Sequence, residues 1–323
     1  MSQDPQSSQS HGQTSRVLRI TTWNVNSVRL RLEGLARLVR EVDPDVLCLQ
    51  ETKVRNELFP VLELRALGFE HQLLHGQPGY HGVAILSKMP LEEPRRLDWC
   101  GKIDCRHALA MLPGGIELHN LYVPAGGDVP DRALNPKFGH KLDFLAELTD
   151  WFRQSRQTGH RAMLVGDLNV APLETDVWNH RQLLKVVSHT PIEVAALGAL
   201  QASQDWIDAV RRFVPPSERL YTWWSYRAFD WSASDRGRRL DHIWVTPELS
   251  AQLLGVEVMR EARGWRQPSD HVPVTVDLET AVSPIRAGPA GGVGIRESVA
   301  EFPCSRFGKP SIYSLFALVG VDV

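Results

Sequence analysis

Just past the middle of the 323-residue chain, an apolar run from Ala162 to Val165 ends abruptly in Gly166-Asp167-Leu168-Asn169. A short apolar run closed by a turn signal predicts a buried strand. Asp167 and Asn169 are two apart, so on an extended chain both point to the same side. In a core each would need several partners; in a cleft they can hold a metal or a water. Alone, the stretch fits a polar β-turn after a strand equally well. Other strand ends repeat the device. Asn24 closes Arg16 to Asn24, Glu51 follows Asp45 to Gln50, and Tyr122 lies near the end of Ile116 to Val123. Asp241 sits on Leu240 to Val245, and Asp270-His271 precedes Val272 to Val276. Each has a plain explanation as a cap, a turn or a satisfied core group. Together they are an oxygen-rich set with one His and no Cys. Hard oxygen donors favour Mg²⁺, with Mn²⁺ as substitute, over zinc. The set suits metal-assisted attack of water on a phosphate ester, with an Asp–His pair for proton chemistry or charge neutralisation. No Gly-rich phosphate loop of the nucleoside-triphosphate-binding type occurs.

These side chains need a frame. Val28, Leu32, Leu35 and Val39 recur at helical spacing, and Asp43-Pro44 closes that helix. Leu58 to Leu67 is expected as a short helix and Gly79 to Ser87 as a strand. Ala108 to Leu112 and Ile116 to Val123 read as strands joined through Pro113-Gly114-Gly115. Phe138, Leu142, Leu145, Leu148 and Phe152 define a long amphipathic helix feeding the Asp167 strand. Ile192 to Leu200 is expected as a helix, with a second starting near Asp205; Val256 to Met259 is a further strand. Strand pairs between helices depart from the strict alternation of a doubly wound fold. They suit sheets packed face to face with helices outside, an α/β sandwich.

Composition agrees with a globular chain: 43% hydrophobic and 23% charged residues, with a net charge of −2. That excludes a protein coated in positive charge but not a local basic groove. Cys100, Cys105 and His107 match no standard zinc spacing and read as packing residues. The absence of a disulfide framework fits a reducing compartment. Met1 to Ser15 is rich in Gln and Ser, reads as a disordered tail and is no signal peptide. No run is apolar enough to span a bilayer. The expected organisation is a tail at 1–15, a domain at 16–279 and a poorly ordered extension at 280–323, in a cytoplasmic monomer without membrane contact. Tyr221 to Arg239 mixes aromatic and cationic residues without clean periodicity; as a nucleic-acid surface its aromatics would stack and its arginines would hold phosphates.

Six motifs occur in order: Trp23-Asn24-Val25-Asn26, Leu49-Gln50-Glu51-Thr52-Lys53, Leu121-Tyr122-Val123-Pro124, Gly166-Asp167-Leu168-Asn169, Arg239-Leu240-Asp241 and Ser269-Asp270-His271. From about Leu18 to about Leu278 the chain resembles the exonuclease III family of apurinic/apyrimidinic endonucleases, within the endonuclease/exonuclease/phosphatase superfamily. The resemblance implies a four-layered α/β sandwich with the site at one end of two sheets. It implies Mg²⁺-dependent incision of double-stranded DNA at abasic sites and hydrolysis at 3′ ends. Glu51 would bind the metal with Asn24 and Asp270 nearby, and Asp167, Asn169 and His271 are further metal-site candidates. Asp167 would deprotonate the attacking water, Asn169 would orient it, Tyr122 would stabilise the transition state, and Asp241 would hold His271 toward the phosphate. DNA contacts are assigned to Arg29, Tyr80, Trp223, Tyr226, Arg238 and Leu240, with Trp223 and Leu240 as walls of an abasic pocket. This chain departs at Asn26, where some members carry Asp, at Ala125, where others place Asn or Gln, and at Arg238, where animal members carry a pocket Trp. Two other readings keep the same motifs: a phosphatase or phosphodiesterase of lipid headgroups or small phosphates, and a nucleic-acid-binding relative without catalysis. The second should have lost a carboxylate or the His, and none is lost here.

Overall fold

A computed structural model describes residues 15–281. Its strands are β1 (Ser15–Asn24), β2 (Val46–Gln50), β3 (His71–His75), β4 (Val83–Ser87), β5 (Glu92–Trp99), β6 (Lys102–Leu112) and β7 (Ile116–Tyr122). They continue as β8 (Ala162–Asp167), β9 (Ile207–Asp208), β10 (Trp223–Trp224), β11 (Gly237–Arg238), β12 (Asp241–Val245), β13 (Leu253–Val258) and β14 (Val274–Ala281). The main helices are α1 (Leu32–Val42), α2 (Val61–Ala66), α3 (Pro136–Ser155) and α4 (Pro191–Ala202). One six-stranded sheet runs β13-β14-β1-β2-β4-β3 and the other β5-β6-β7-β8-β12-β9, while β10 and β11 form a separate ribbon.

Each large sheet is antiparallel except at its centre. There β1 and β2 are parallel and joined through α1, and β7 and β8 are parallel and joined through α3. A parallel pair needs a crossover of this kind. Period-two alternation then builds the layers. Leu18, Ile20, Val46 and Cys48 meet Leu118, Met163, Val165 and Ile243 between the sheets. The alternate residues Leu47 and Leu49 face outward onto Leu35, Leu38 and Val42 of α1. On the other flank Leu121, Leu164 and Trp244 cover Phe144, Leu145 and Leu148 of α3. Each such leucine contributes roughly 2 kcal/mol by leaving water. The result is helices, sheet, sheet, helices: the expected four layers.

Several local expectations shift. Pro60 interrupts the Leu58 to Leu67 segment, leaving a 3₁₀ turn at Asn56–Leu58 before α2. The strand expected from Gly79 starts only at Val83, because Gly79 and Gly82 take positive φ. No helix starts near Asp205; the chain turns there, with φ +54 at Asp205, and Ile207 and Asp208 join β12 as an edge strand. The last strand runs two residues past 279, since Thr280 and Ala281 pair with Arg16 and Ser15. The tail at 1–14 and the extension from 282 lie outside the described residues. Among the described residues no helix is long and apolar enough to cross a membrane.

Candidate active site

The two parallel pairs set the site. Tyr122 lies in register with Asp167 on β8, which is paired on its other side with Asp241 of β12. In the facing sheet Asn24 lies beside Gln50, and Glu51 follows at once. Side chains from both sheets therefore converge at one end of the sandwich. The close approach needs Gly166: its φ is +136, and a Cβ there would lie 2.0 Å from the carbonyl oxygen of Leu121. Beyond the strand ends the backbone bends sharply, with φ +44 at Asn26, +50 at Glu51 and +53 at Asn169. Such left-handed residues cost on the order of 1 kcal/mol or more each and persist where the surroundings over-determine them. Here Ser27 N–H donates to Glu51 O at 2.7 Å, and Asn169 N–H donates to Asp167 Oδ1 at 2.9 Å.

Asn24 is fully buried, and its Nδ2 donates to Glu51 Oε1 and to Asp167 Oδ2, each at 2.9 Å. Asn169 Nδ2 donates to Val123 O at 2.8 Å and to Asp167 Oδ2 at 3.2 Å. His271 Nδ1 sits 2.8 Å from Asp241 Oδ2, and its Nε2 faces Asp167 Oδ2 at 3.7 Å. Asp270 accepts from Asn26 Nδ2 at 2.9 Å and from Trp223 Nε1 at 3.0 Å. Lys53 Nζ lies 2.8 Å from Glu51 Oε2 and also donates to Asn26 Oδ1. Asn26 thus ties Lys53 to Asp270.

Electrostatics separates the acids. Burial pushes Asp167 up to about 7, aided by Asp241 and opposed by His271. Burial acts against the His271 imidazolium, but Asp241 and Asp167 outweigh it and raise the ring to about 10. Glu51 is also penalised by burial, yet Lys53 and Asn24 hold it below the usual carboxylate range. Asp270 is likewise held low by His271, Asn26 and Trp223 against its burial. Burial, then Glu51 and Asp167, lift the Tyr122 phenol well above its ordinary value. At neutral pH the site holds a carboxylate poised to take a proton beside an imidazolium and a protonated phenol. A carboxylate oxygen of Glu51 and one of Asp167 lie within 4.8 Å of each other, while the protonated His271 ring beside them has no lone pair to give. With two carboxylates there, the donors fit a divalent cation.

Above this floor opens a cavity of about 560 Å³. Its lining includes Glu51, Tyr122, Asp167, Asn169, Asp270 and His271, with Trp223, Arg238 and Leu240 as walls. The β10–β11 ribbon supplies the aromatic wall, because Trp223 pairs with Arg238 and bridges to His271. Arg238 stacks 5.3 Å from the Trp223 ring, and its Nη1 donates to Val187 O at 2.9 Å and Ser188 Oγ at 2.7 Å. Trp178, Val186, Val187 and Ser188 also line the cavity and lie on segments without periodicity, so no sequence pattern marks them; Arg236, from the aromatic-cationic stretch, stacks 4.8 Å from Trp178. Three residues assigned to DNA contact do not line this cavity. Arg29 lines another cavity with Leu32 and Asn56. Tyr80 is 72% exposed. Tyr226 Oη donates to Pro268 O at 2.8 Å and accepts from Arg31.

A profile of the endonuclease/exonuclease/phosphatase family matches residues 21–271. The chain belongs to this family. It is 29% identical to exodeoxyribonuclease III of Haemophilus influenzae over 275 residues, 81% of this chain and 100% of that protein. Among solved structures it resembles an AP endonuclease from Archaeoglobus fulgidus, at 32% identity and TM-score 0.75, covering 81% of this chain and 99% of that one. It also resembles the 3′ phosphatase NExo from Neisseria, solved bound to a product DNA hairpin, at 32% identity and TM-score 0.74 over the same shares. The two mixed sheets flanked by helices are the fold of these family members.

Proposed function

We propose that this chain is a Mg²⁺-dependent DNA repair nuclease, with Mn²⁺ as substitute. It cuts the phosphodiester bond on the 5′ side of abasic sites in duplex DNA and hydrolyses 3′-terminal groups, acting as a monomer in the cytoplasm. The observation that carries the reading is the Asp167–His271–Asp241 series, 3.7 and 2.8 Å apart, under a cavity walled by Trp223 and Leu240. Relatives named exodeoxyribonuclease, AP endonuclease and 3′ phosphatase support the same choice.

Glu51, with Asn24 and Asp270 beside it, would hold the cation, which supplies positive charge at the phosphoryl oxygens. Asp167 takes the proton of the attacking water, a role suited to a carboxylate lifted to about 7. His271, kept protonated by Asp241, presents positive charge toward the phosphate. Asn169 is fixed by Val123 O and directs the water. Tyr122, buried and protonated, donates to the developing charge. An abasic nucleotide has already lost its stacking, so flipping it into a walled pocket costs less than flipping an intact one.

One gel tests this: abasic duplex, undamaged duplex and 3′-phosphate duplex, with and without Mg²⁺, beside an inositol phosphate release assay. Incision of abasic duplex and 3′-phosphate release, both abolished by chelation, are expected. Inositol phosphate turnover without DNA cleavage would replace the reading with that of a small-ester phosphatase.

A further inference from the structure

Beneath the pocket lies an ion pair that the chemistry above does not use. Lys141 of α3 and Glu193 of α4 are both fully buried and in contact. Lys141 Nζ also donates to Asn169 O at 2.8 Å and reaches Ala125 O at 3.4 Å. An ammonium has three donors, and these acceptors occupy all three. Glu193 in turn accepts from Ser188 N–H at 2.9 and 3.0 Å, and from Thr190 Oγ1 at 2.6 Å. Ser188 and Val187 are the groups that hold Arg238. Gly126, at φ +90, packs on the stem: a Cβ there would lie 3.0 Å from Lys141 Cδ and 3.0 Å from Val187 Cγ1.

Three segments that line the cavity, at Ala125, Asn169 and Val187–Ser188, therefore meet at one buried charge pair. Burying two charges is a poor route to stability, because their desolvation cancels much of their attraction. Its use here is directional: three backbone segments without regular structure are given fixed acceptor and donor positions. We infer that Lys141 and Glu193 are positioning residues that set the shape of the substrate pocket, and so the enzyme's preference for an extrahelical abasic nucleotide over an intact one. The inference rests on the function proposed above. Lys141 acts through the backbone of Asn169 and Ala125, and Glu193 through Ser188 to Arg238; neither lines the cavity.

The test is the ratio of affinities for a duplex with an uncleavable tetrahydrofuran abasic analogue and for the undamaged duplex. It is measured in Ca²⁺ well below the melting temperature, for wild type, Lys141→Met and Glu193→Gln. Misplacing a positioned group by about 1 Å can cost on the order of a hundredfold. Each variant should lose at least roughly tenfold in the ratio, mainly through weaker abasic binding, and the double variant should lose little more than either. An intact ratio in folded variants, whatever their melting temperature, would overturn the inference and leave the pair a structural strut. Should Lys141→Met not fold, Glu193→Gln keeps the size and one acceptor oxygen and is judged by the same ratio. A wild type without abasic preference would instead refute the proposed function.

Discussion

Asp241 and His271 are joined at 2.8 Å inside the protein, and on the proposed reading they act as a unit. Removing either partner leaves the other without its purpose, and such groups are strongly non-additive. Asp241→Ala and His271→Ala should lower kcat by similar factors, and the double variant by little more. A double loss equal to the product of the single losses would separate them. Asp167→Asn keeps shape and removes the base, so it should be at least as damaging; wild-type turnover would remove Asp167 from the mechanism. Glu51 keeps its charge against burial through Lys53 at 2.8 Å and through Asn24. Glu51→Gln should raise the Mg²⁺ needed for half-maximal activity sharply, by about tenfold or more for one lost charge at a hard cation. An unchanged Mg²⁺ titration would move the metal elsewhere. Most of these residues were legible in the sequence because polar strand ends recur as a set in six ordered motifs, although each alone reads as a cap or a turn. Lys53 stands in the Leu49–Lys53 motif without a role that the sequence can give it, and only the bend at Glu51 turns it back onto the carboxylate.

At the scale of elements, β8 is the member that admits least change. Gly166 brings Asp167 up against Tyr122 and Asp241 through a backbone no other residue adopts without strain. Gly166→Ala should cost about 3 kcal/mol or more, through strain and displacement of Leu121. Urea denaturation would read it as a lower midpoint, and a midpoint equal to wild type would show that β7 can yield. The central strands were legible as apolar runs, since both faces of each are covered. The edges were not. β5 reads Glu-Glu-Pro-Arg-Arg-Leu-Asp-Trp and is exposed along most of its length, so it carries neither an apolar run nor an alternation. β3 has His at both ends. The helix expected near Asp205 gives way to a two-residue strand too short to show a period; pairing of Ile207 and Asp208 with Val245 and Trp244 decides their state.

The whole molecule carries a group of histidines buried without charge. Burial lowers His107, His119 and His242, the last to about 4. Between the ordinary imidazole value and these lowered ones, the unfolded chain binds protons that the folded chain refuses. These three rings should therefore cost stability as pH drops from about 6.5 toward 4, while Asp167, lifted to about 7, gains a proton in the fold first and acts in the opposite direction. His242 alone accounts for about 3 kcal/mol of that cost, at 1.36 kcal/mol per unit. In Asp167→Asn, which removes the opposing carboxylate, a melting temperature independent of pH across this window would mean that these rings are charged in the fold. The tail boundary belongs to this scale as well. Thr280 Oγ1 donates to Arg16 O at 3.1 Å, so truncation after Ala281, rather than after Glu279, should keep the melting temperature and the nuclease activity. A large loss on that cut would give the residues from 282 a part in stability. β14 also closes the molecule in another sense. It pairs along β1, with Ser15 opposite Ala281 and Thr22 opposite Val274, and His271 stands immediately before it. Among the described strands β1 thus waits for β14, and Glu51 and Asp167 meet His271 only once the chain has passed residue 271. A fragment ending before β14 keeps Glu51, Asp167 and Asp241 but lacks the strand that pairs along β1, so it should leave an abasic duplex uncut on a gel; cleavage by that fragment would show that β1 holds its place without β14.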